Sequence, residues 1–573
     1  MDKTPKFTKA INEILKNLTP YGAKCFQCKL DFEISENDID FFKRFQVPPS
    51  KMCPDCRRQR RFAFINYTTL FKRKCDAPNH NEKVISSIPE GTGFPVFDFD
   101  YYWYGDRDWF INGRNFDFNE SFLKQFKELF MISPQPALTR DPASINSDYA
   151  SYGAQLKNCY YTFGGINVEN TMFSVWPMST KDSLDLLISV NNNLLYEGVY
   201  PNNSYNCHYV YFSSDCLDCN FIYDCRNCND CFGCVNLRNK KYCIWNIQYS
   251  EKDYLEKIKE FNLGNRQELE KVKMKFNKMI FSLPIRATRN EHSENVLGNY
   301  LVNSKNCINV MWAMDSENLT NTDFVMKLKD SYDCTVSAIA EQLYSTSGVG
   351  NNCFNVKLSS FGRELQDCEY TMNCKNCQYC FGCIGLVNAK FYIFNKQYIE
   401  EEYWKTVDAI KVKMIEGGEY GEFFPISLSP FPYNASLSNI IYNISKEKAL
   451  GLGGWWYDDK INLPENMKLL KMDEIESNIK NVPDDILNVG IISEGNGKPF
   501  RIIKEELDFY RRKNIAIPSL TPYERIVARF KYVNNFKVFT DNCFNCKKEI
   551  LSSYATSDGF NPYCEDCYKK EVY

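Results

Sequence analysis

The segment that most constrains this chain is Cys225–Tyr249, CRNCNDCFGCVNLRNKKYCIWNIQY, because it recurs without a gap as Cys374–Tyr398, CKNCQYCFGCIGLVNAKFYIFNKQY, with 14 of 25 positions identical. Each copy carries four cysteines three residues apart and closes on Asn-x-Gln-Tyr. The likeness extends upstream. Lys157-Asn158-Cys159 pairs with Lys305-Asn306-Cys307, and Glu169-Asn170 with Glu317-Asn318. Lys181-Asp182-Ser183 pairs with Lys329-Asp330-Ser331, and Asn206-Cys207 with Asn352-Cys353. Within each copy, Asn or Asp followed by Cys or Ser returns at intervals of roughly 12 or 24 residues, with short strand-like runs between. An internal period of about 20–25 residues predicts a solenoid, most simply a parallel β-helix. Asn and Asp suit its corners because they tolerate left-handed backbone.

The cysteine runs admit three readings. Cys225, Cys228, Cys231 and Cys234, with Cys374, Cys377, Cys380 and Cys383, approach the ferredoxin run CxxCxxCxxxC-Pro. The last gap is two residues rather than three, however, and no proline follows Cys234 or Cys383. Each run also lies inside a repeating unit far longer than a cluster loop needs. Free cysteine packs as a small hydrophobe, so a structural cysteine ladder is the favoured reading, with further zinc or iron–sulfur clusters as the alternatives.

Residue usage narrows the chemistry. There are 26 cysteines but three histidines, His80, His208 and His292, so metal sites must be nearly all thiolate and a histidine base has few candidates. Net charge is −3, which gives no global attraction to nucleic acid or anionic membrane. No apolar run approaches the ~18 residues of a membrane span, and MDKTPKFTKAINEILKNL lacks the apolar centre of a signal peptide. The expected compartment is the cytoplasm, where cysteines ligate metal more readily than they form disulfides.

Metal ligation is expected at both ends. Cys25-Phe-Gln-Cys28 and Cys53-Pro-Asp-Cys56 supply four thiolates, the number tetrahedral zinc requires. Phe32–Cys75 aligns without a gap on Phe500–Cys543, matching Ile34/Ile502, Asp40/Asp508, Phe41/Phe509, Arg57/Arg525, Arg61/Arg529, Phe62/Phe530 and Asn66/Asn534. After a two-residue deletion the alignment continues to Cys567. The chain therefore begins and ends with copies of one two-site module, decayed in opposite halves. The N-terminal copy keeps its first site and has Cys75/Pro78/Asp98/Tyr101 at the second. The C-terminal copy has Ser493/Asn496/Thr521/Glu524 at the first and keeps Cys543/Cys546/Cys564/Cys567 at the second. Two structural zinc ions follow. Arg57-Arg-Gln-Arg-Arg61 reads either as compensation for the negative thiolate cluster or as a short basic patch for phosphates.

Cys25, Cys28, Phe41, Phe42, Pro48, Cys53, Pro54, Cys56 and Arg57 resemble a zinc-ribbon family marked by CxxC, an aromatic pair, a proline and CPxCR. The whole order also includes GEFFPISLSPFPYN and GKPFRI before the final treble-clef-like knuckle. It resembles an uncharacterised Cys-rich zinc-ribbon family of candidate-phyla-radiation bacteria. That resemblance implies metal and domain order, and no activity.

The expected domains are a zinc ribbon (1–70), a degenerate knuckle (71–104), a connector (105–150) and Cys-rich repeat 1 (151–256). A helical connector (257–298), repeat 2 (299–405), a connector (406–490), a degenerate ribbon (491–542) and a C-terminal knuckle (543–573) follow. The expected fold is multidomain, with small α+β zinc modules at both termini around a β-rich tandem-repeat body. The expected function is non-enzymatic binding or scaffolding. A nucleic-acid or ribonucleoprotein partner is weakly favoured by Arg57–Arg61, Lys72–Lys74 and Arg511–Lys513, and no membrane is expected. The alternative is an iron–sulfur redox protein.

Overall fold

The computed structural model describes residues 2–458, 467–533 and 536–573. Part of the 406–490 connector (459–466) and Asn534, the expected counterpart of Asn66, lie outside the described residues. The chain divides into two compact units. Unit 1 comprises Met1–Asn66, Leu70–Leu138 and Thr288–Tyr457, and unit 2 comprises Tyr67–Thr69, Thr139–Ala287 and Asp458–Tyr573. Each unit therefore joins one terminal module to the Cys-rich repeat more distant from it in sequence.

The two repeats form large parallel sheets. Among the described residues, strands from Ala150–Ser151 to Ile247–Gln248 make a twelve-stranded sheet in unit 2. Strands from Glu294–Val302 to Lys396–Gln397 make a nine-stranded sheet in unit 1. Pairing is parallel until an antiparallel hairpin closes each sheet. The register advances by a constant step: Tyr196 pairs with His208, His208 with Asn220, and Asn220 with Phe232. The same step of 12 separates the hydrogen-bonded side chains of Asn158 and Asn170. It equals the shorter of the two Asn/Asp intervals and is about half the expected period of 20–25 residues.

Backbone conformation explains the shorter repeat. Asn158, Tyr161, Gly164, Asn167, Asn170 and Phe173 all have positive φ, and nearly every third residue continues so to Trp245. Asn and Asp fill only some of these positions. Others hold Ile188 or Trp176, and in the second sheet Val336, residues that are costly in left-handed backbone. Hydrogen bonds from one stretch to the next offset that cost. Asn170 N–H donates to Lys157 O and Asp182 N–H to Glu169 O. Side-chain amides add a ladder, Asn146 to Asn158 to Asn170 to Asp182, at 3.2, 3.0 and 2.9 Å. The second sheet repeats it as Asn295, Asn306, Asn318 and Asp330.

One expected correspondence is corrected by the register. Ala340 pairs with Cys353 and Leu343 with Val356, an advance one longer than the usual step. The consecutive left-handed residues Asn351 and Asn352 absorb the extra one. Asn352-Cys353 is therefore the counterpart of Asn203-Ser204, and Cys207 corresponds to Val356.

The stretches expected as connectors contribute to the cores. In unit 1, Phe122–Ile132 is a helix whose Phe122 and Phe126 pack on Tyr370 and Phe424. The N-terminal helix spans Pro5–Leu15 and buries Phe7, Ile11 and Leu15, while Ile14 faces outward. In unit 2, the charged helical pattern after repeat 1 breaks into Glu251–Lys257 and Arg266–Ser282, the second capped by Asn265. No described helix is long and apolar enough to cross a membrane.

Candidate metal centres

In unit 1, the hairpin Tyr21–Lys24/Asp31–Ile34 carries Cys25 at the end of its first strand and Cys28 in its turn. Lys29 closes the turn with φ +64°. Helix α1 (Glu36–Phe45) starts at a reciprocal Ser35/Asp38 cap and ends at the left-handed Gln46. This returns the chain so that Cys53 sits at the N-cap of α2 (Pro54–Phe62), with Cys56 in its first turn. Pro54 suits that start because its missing N–H has no helical partner there. Cys25 Sγ accepts the Cys53 amide at 3.3 Å, and Cys28 Sγ lies 3.7 Å from Cys53 Sγ.

Unit 2 builds a second site the same way. The hairpin Phe539–Asn542/Glu549–Ser552 presents Cys543 and Cys546, and Lys547 closes the turn with φ +62°. Cys564 is the N-cap of the helix Glu565–Val572. Cys543 Sγ accepts the Cys564 amide at 3.3 Å, and Cys546 Sγ lies 3.8 Å from Cys564 Sγ. In each quartet all four sulfurs lie within 4.8 Å of one another and could hold a metal ion. A tetrahedron of ~2.3 Å zinc–thiolate bonds has edges of about 3.8 Å, so both donor sets fit such an ion.

In each quartet one thiol is drawn toward thiolate, Cys53 and Cys543, while hydrogen bonding with Cys53 and with Cys564 pushes Cys56 and Cys567 up and burial pushes Cys28 and Cys564 up. Hydrogen bonding from Cys56 brings the Cys53 thiol down to about 5, against the opposing effect of burial. For Cys543, burial pushes the pKa up, but the amides of Cys564, Cys546 and Asn545 outweigh it and bring the thiol to about 6. Amide donors and a helix N-terminus stabilise the anion a metal binds.

The two decayed sites keep the frame and replace the ligands. At the second position of the N-terminal module, Cys75 Sγ still accepts a backbone amide, that of Asp98, at 3.2 Å. This bond is the equivalent of Cys564 to Cys543. Asp98 instead caps the following helix, and Cys75 packs with Ala77, Phe97 and Tyr102. At the first position of the C-terminal module, Ser493 and Thr521 hydroxyls donate to Glu524 Oε2 at 2.6 and 2.8 Å, and the Thr521 amide donates at 2.9 Å. The Glu524 carboxylate gathers Ser493 and Thr521, while Asn496 accepts the Lys498 amide at 2.9 Å.

The arginines after Cys56 serve neither expected purpose in the main. Arg57, Arg58 and Arg61 are buried. Arg57 Nε lies 2.6 Å from Asp333, Arg61 Nη1 3.3 Å from Asp333, and Arg58 Nε 2.9 Å from Asp323. They fasten α2 to the parallel sheet of unit 1 and are not available as a phosphate-binding patch. Arg60 lies within electrostatic reach of Cys56 and Cys25. Of the other basic positions, Arg73 is buried against Pro89 O, and Arg511 pairs with Asp484.

Unit 2 repeats the attachment. Helix α3 (Lys504–Lys513) ends at the left-handed Asn514, and α4 (Pro522–Tyr532) starts at a Thr521/Glu524 capping box. Arg525 and Arg529 reach Asp185 at 3.4 and 3.0 Å. Arg529 Nη2 donates to Phe173 O at 2.9 Å, as Arg61 Nη2 donates to Asn321 O at 3.0 Å. Asp185 and Asp333, like Phe173 and Asn321, are equivalent positions of the two sheets. The sequence signal was present in the matched pairs Arg57/Arg525 and Arg61/Arg529, but their acidic partners lie in the other repeat.

The central cysteines are buried donors in the sheet interiors. Cys219 Sγ bonds Leu217 O and Cys228 O at 3.2 and 3.4 Å, and Cys234 Sγ bonds Phe232 O and Cys243 O at 3.3 and 3.6 Å. Thr162 makes the same pair of contacts, to Tyr160 O and Thr171 O. Among the described residues, only the two terminal quartets bring three or more candidate ligand atoms within 4.8 Å of one another. Cys225, Cys228, Cys231, Cys234 and their counterparts Cys374, Cys377, Cys380 and Cys383 do not.

No protein-family model matches the chain, and comparison with curated proteins finds no match.

Proposed function

We propose that this is a zinc-stabilised, non-enzymatic binding or scaffolding protein. Each unit joins a β-helical solenoid to a two-site module of treble-clef type. In each module one site holds a structural zinc ion and the other has become metal-free packing. The observation that carries the reading is the pair of four-cysteine quartets with sulfur separations of 3.7 and 3.8 Å, the edge expected for tetrahedral zinc. The residues proposed as ligands are Cys25, Cys28, Cys53 and Cys56, with Cys543, Cys546, Cys564 and Cys567. The cytoplasm is the proposed compartment, since 26 cysteines would otherwise face oxidation.

A binding role suits the solenoid reading, because stacked repeats present long surfaces. Burial of Arg57, Arg58 and Arg61 withdraws the strongest argument for a nucleic-acid partner. The iron–sulfur alternative gains no support from the central cysteines, whose thiols are directed to backbone carbonyls. Elemental analysis of anaerobically purified protein tests the proposal. Two zinc per chain without iron is expected, whereas iron and sulfide in comparable amounts would overturn it.

A further inference from the structure

Unit 2 contains an open cleft of about 770 Å³ between α3 and the first turns of its parallel sheet. One wall is the amide ladder ending at Asp182, and the other carries Glu505, Asp508, Phe509 and Arg512. Tyr149, Tyr160 and Asp148 complete it. The carboxylates outnumber the single guanidinium, and three aromatic rings stand among them.

The equivalent place in unit 1 shows what such a cleft accepts. There Arg44, the counterpart of Arg512, lays its guanidinium over Phe41 at 5.3 Å and pairs with Asp330 at 2.9 Å. Asn37 adds a hydrogen bond to Thr320 at 2.8 Å. In unit 2 both latches are changed. Glu505 and Met172 replace Asn37 and Thr320, which removes that hydrogen bond. Arg512 lies over Phe509 at 5.7 Å, but among the described residues Asp182 has no ion-pair partner and accepts only the Asn170 amide. Further differences in the lining add charge or rings, although outside it Lys513 replaces Phe45 and lies within electrostatic reach of Asp182, and Arg501 replaces Glu33 and lies within reach of Tyr160. Tyr160 stands where unit 1 has Ile308 and Asp148 where it has Leu297. Tyr149 occupies the position lost from unit 1, where the register from Glu294 to Lys305 falls one short of the usual step. The lining of the open copy has gained two carboxylates, Asp148 and Glu505, and two aromatic rings at the place where the closed copy binds its own cation.

We propose that this cleft binds an organic polycation of the linear polyamine class, with one ammonium group on Asp182, another at Glu505, and the methylene stem against Tyr149, Tyr160 and Phe509. Carboxylates supply the charge attraction and the ring faces add cation–π contact. The cleft shares no residue with either metal centre, so its occupancy is separable from zinc content.

The test is calorimetric titration of the full-length, metal-loaded protein with spermidine, and with a neutral hexasaccharide as the competing chemistry. Saturable spermidine binding is expected, weakened by added salt and reduced at least about tenfold by Asp182→Asn and by Glu505→Gln. Glu505 is exposed on α3, so that variant leaves the fold intact. Arg512→Ala removes the internal cation that lines the cleft and should tighten binding. Absence of binding at about 1 mM spermidine, equal binding by both acid variants, or preference for the neutral sugar would overturn the proposal.

Discussion

The N-terminal and C-terminal modules solve one problem in opposite order. Each has two positions at which a hairpin must be held to the start of a helix. The first module uses four thiolates at Cys25, Cys28, Cys53 and Cys56, then an aromatic pack around Cys75. The last uses a carboxylate hub at Glu524, then four thiolates at Cys543, Cys546, Cys564 and Cys567. The hairpin turn and the amide-to-sulfur bond survive at Cys75 although the other ligands are gone. On the proposed reading, a module fastened to a large sheet needs one metal clamp, and ordinary packing serves at its other position.

The largest effects should come from the retained clamps. Cys56→Ser and Cys567→Ser should each remove one zinc and unfold the hairpin it holds. Structural zinc contributes on the order of 10–16 kcal/mol in isolated finger peptides, more than a single packing contact supplies. Metal analysis of the two variants separates the sites, and retention of both ions in either variant would break the comparison.

Next in size are the attachments to the sheets. Arg61→Ala and Arg529→Ala each weaken the partnering of a buried aspartate, Asp333 or Asp185, and should cost about 3–5 kcal/mol. Denaturant melts of the two variants should agree if the attachments are equivalent. The Arg58–Asp323 pair sharpens the point, because the equivalent positions in unit 2 are the buried, apolar Ile526 and Val175. Arg58→Ile combined with Asp323→Val should recover most of the stability lost by Arg58→Ile alone. An additive loss in the double variant would show that the two copies are not interchangeable.

A pH difference between the units follows. In unit 2, burial and then Lys513 lower the His208 pKa to about 4, against a hydrogen bond to Asn220. In unit 1, the counterparts of His208 and Asn220 are Lys357 and Glu369. Burial opposes ionisation of Glu369, but Lys357 and Lys411 outweigh it and hold the acid at about 2. His208 is less basic folded than unfolded, so its contribution is complete above about pH 6.5 and is lost as pH falls toward 4. Glu369 holds its contribution above about 4.5 and loses it toward 2. The histidine contribution amounts to roughly 3 kcal/mol. Comparing His208→Asn with the parent protein at pH 7.5 and pH 5 isolates it from thiolate protonation. The variant should lose less stability than the parent on acidification, and parallel losses would exclude the histidine.

The smallest effects should fall on cysteines that hold no metal. Cys75→Ser and Cys219→Ser should leave zinc content unchanged and cost about 1 kcal/mol each, since a hydroxyl can make equivalent hydrogen bonds. Zinc lost from the first would mean that the decayed site is still occupied.

Parts of this architecture are open to reading in the sequence because the physics is local. The ligand quartets follow from CxxC spacing, and the duplication follows from identities such as Phe41/Phe509 and Arg57/Arg525. The register of the sheets is blurred in the sequence because left-handed positions are also filled by residues such as Trp176 and Ile188, so Asn and Asp mark only some turns. The attachment arginines are easily misread because Asp333 lies 276 residues beyond Arg57. An arginine run beside thiolates has no local feature that points to so distant a carboxylate. The cleft of unit 2 becomes visible only when Arg44 and Asp330 are set beside Arg512 and Asp182.

The central claim is that metal holds one site in each module while packing holds the other. Amide hydrogen exchange of the whole protein, with and without a strong chelator, tests it most directly. Chelation should remove protection from the hairpins Tyr21–Lys24/Asp31–Ile34 and Phe539–Asn542/Glu549–Ser552. It should spare the hairpin Phe71–Lys74/Lys83–Ser86, the pair Gly490–Ile492/Pro499–Phe500 and the parallel sheets. Loss of protection at Cys225–Tyr249 and Cys374–Tyr398 together with the metal-held hairpins would contradict the account and assign metal to the central cysteines.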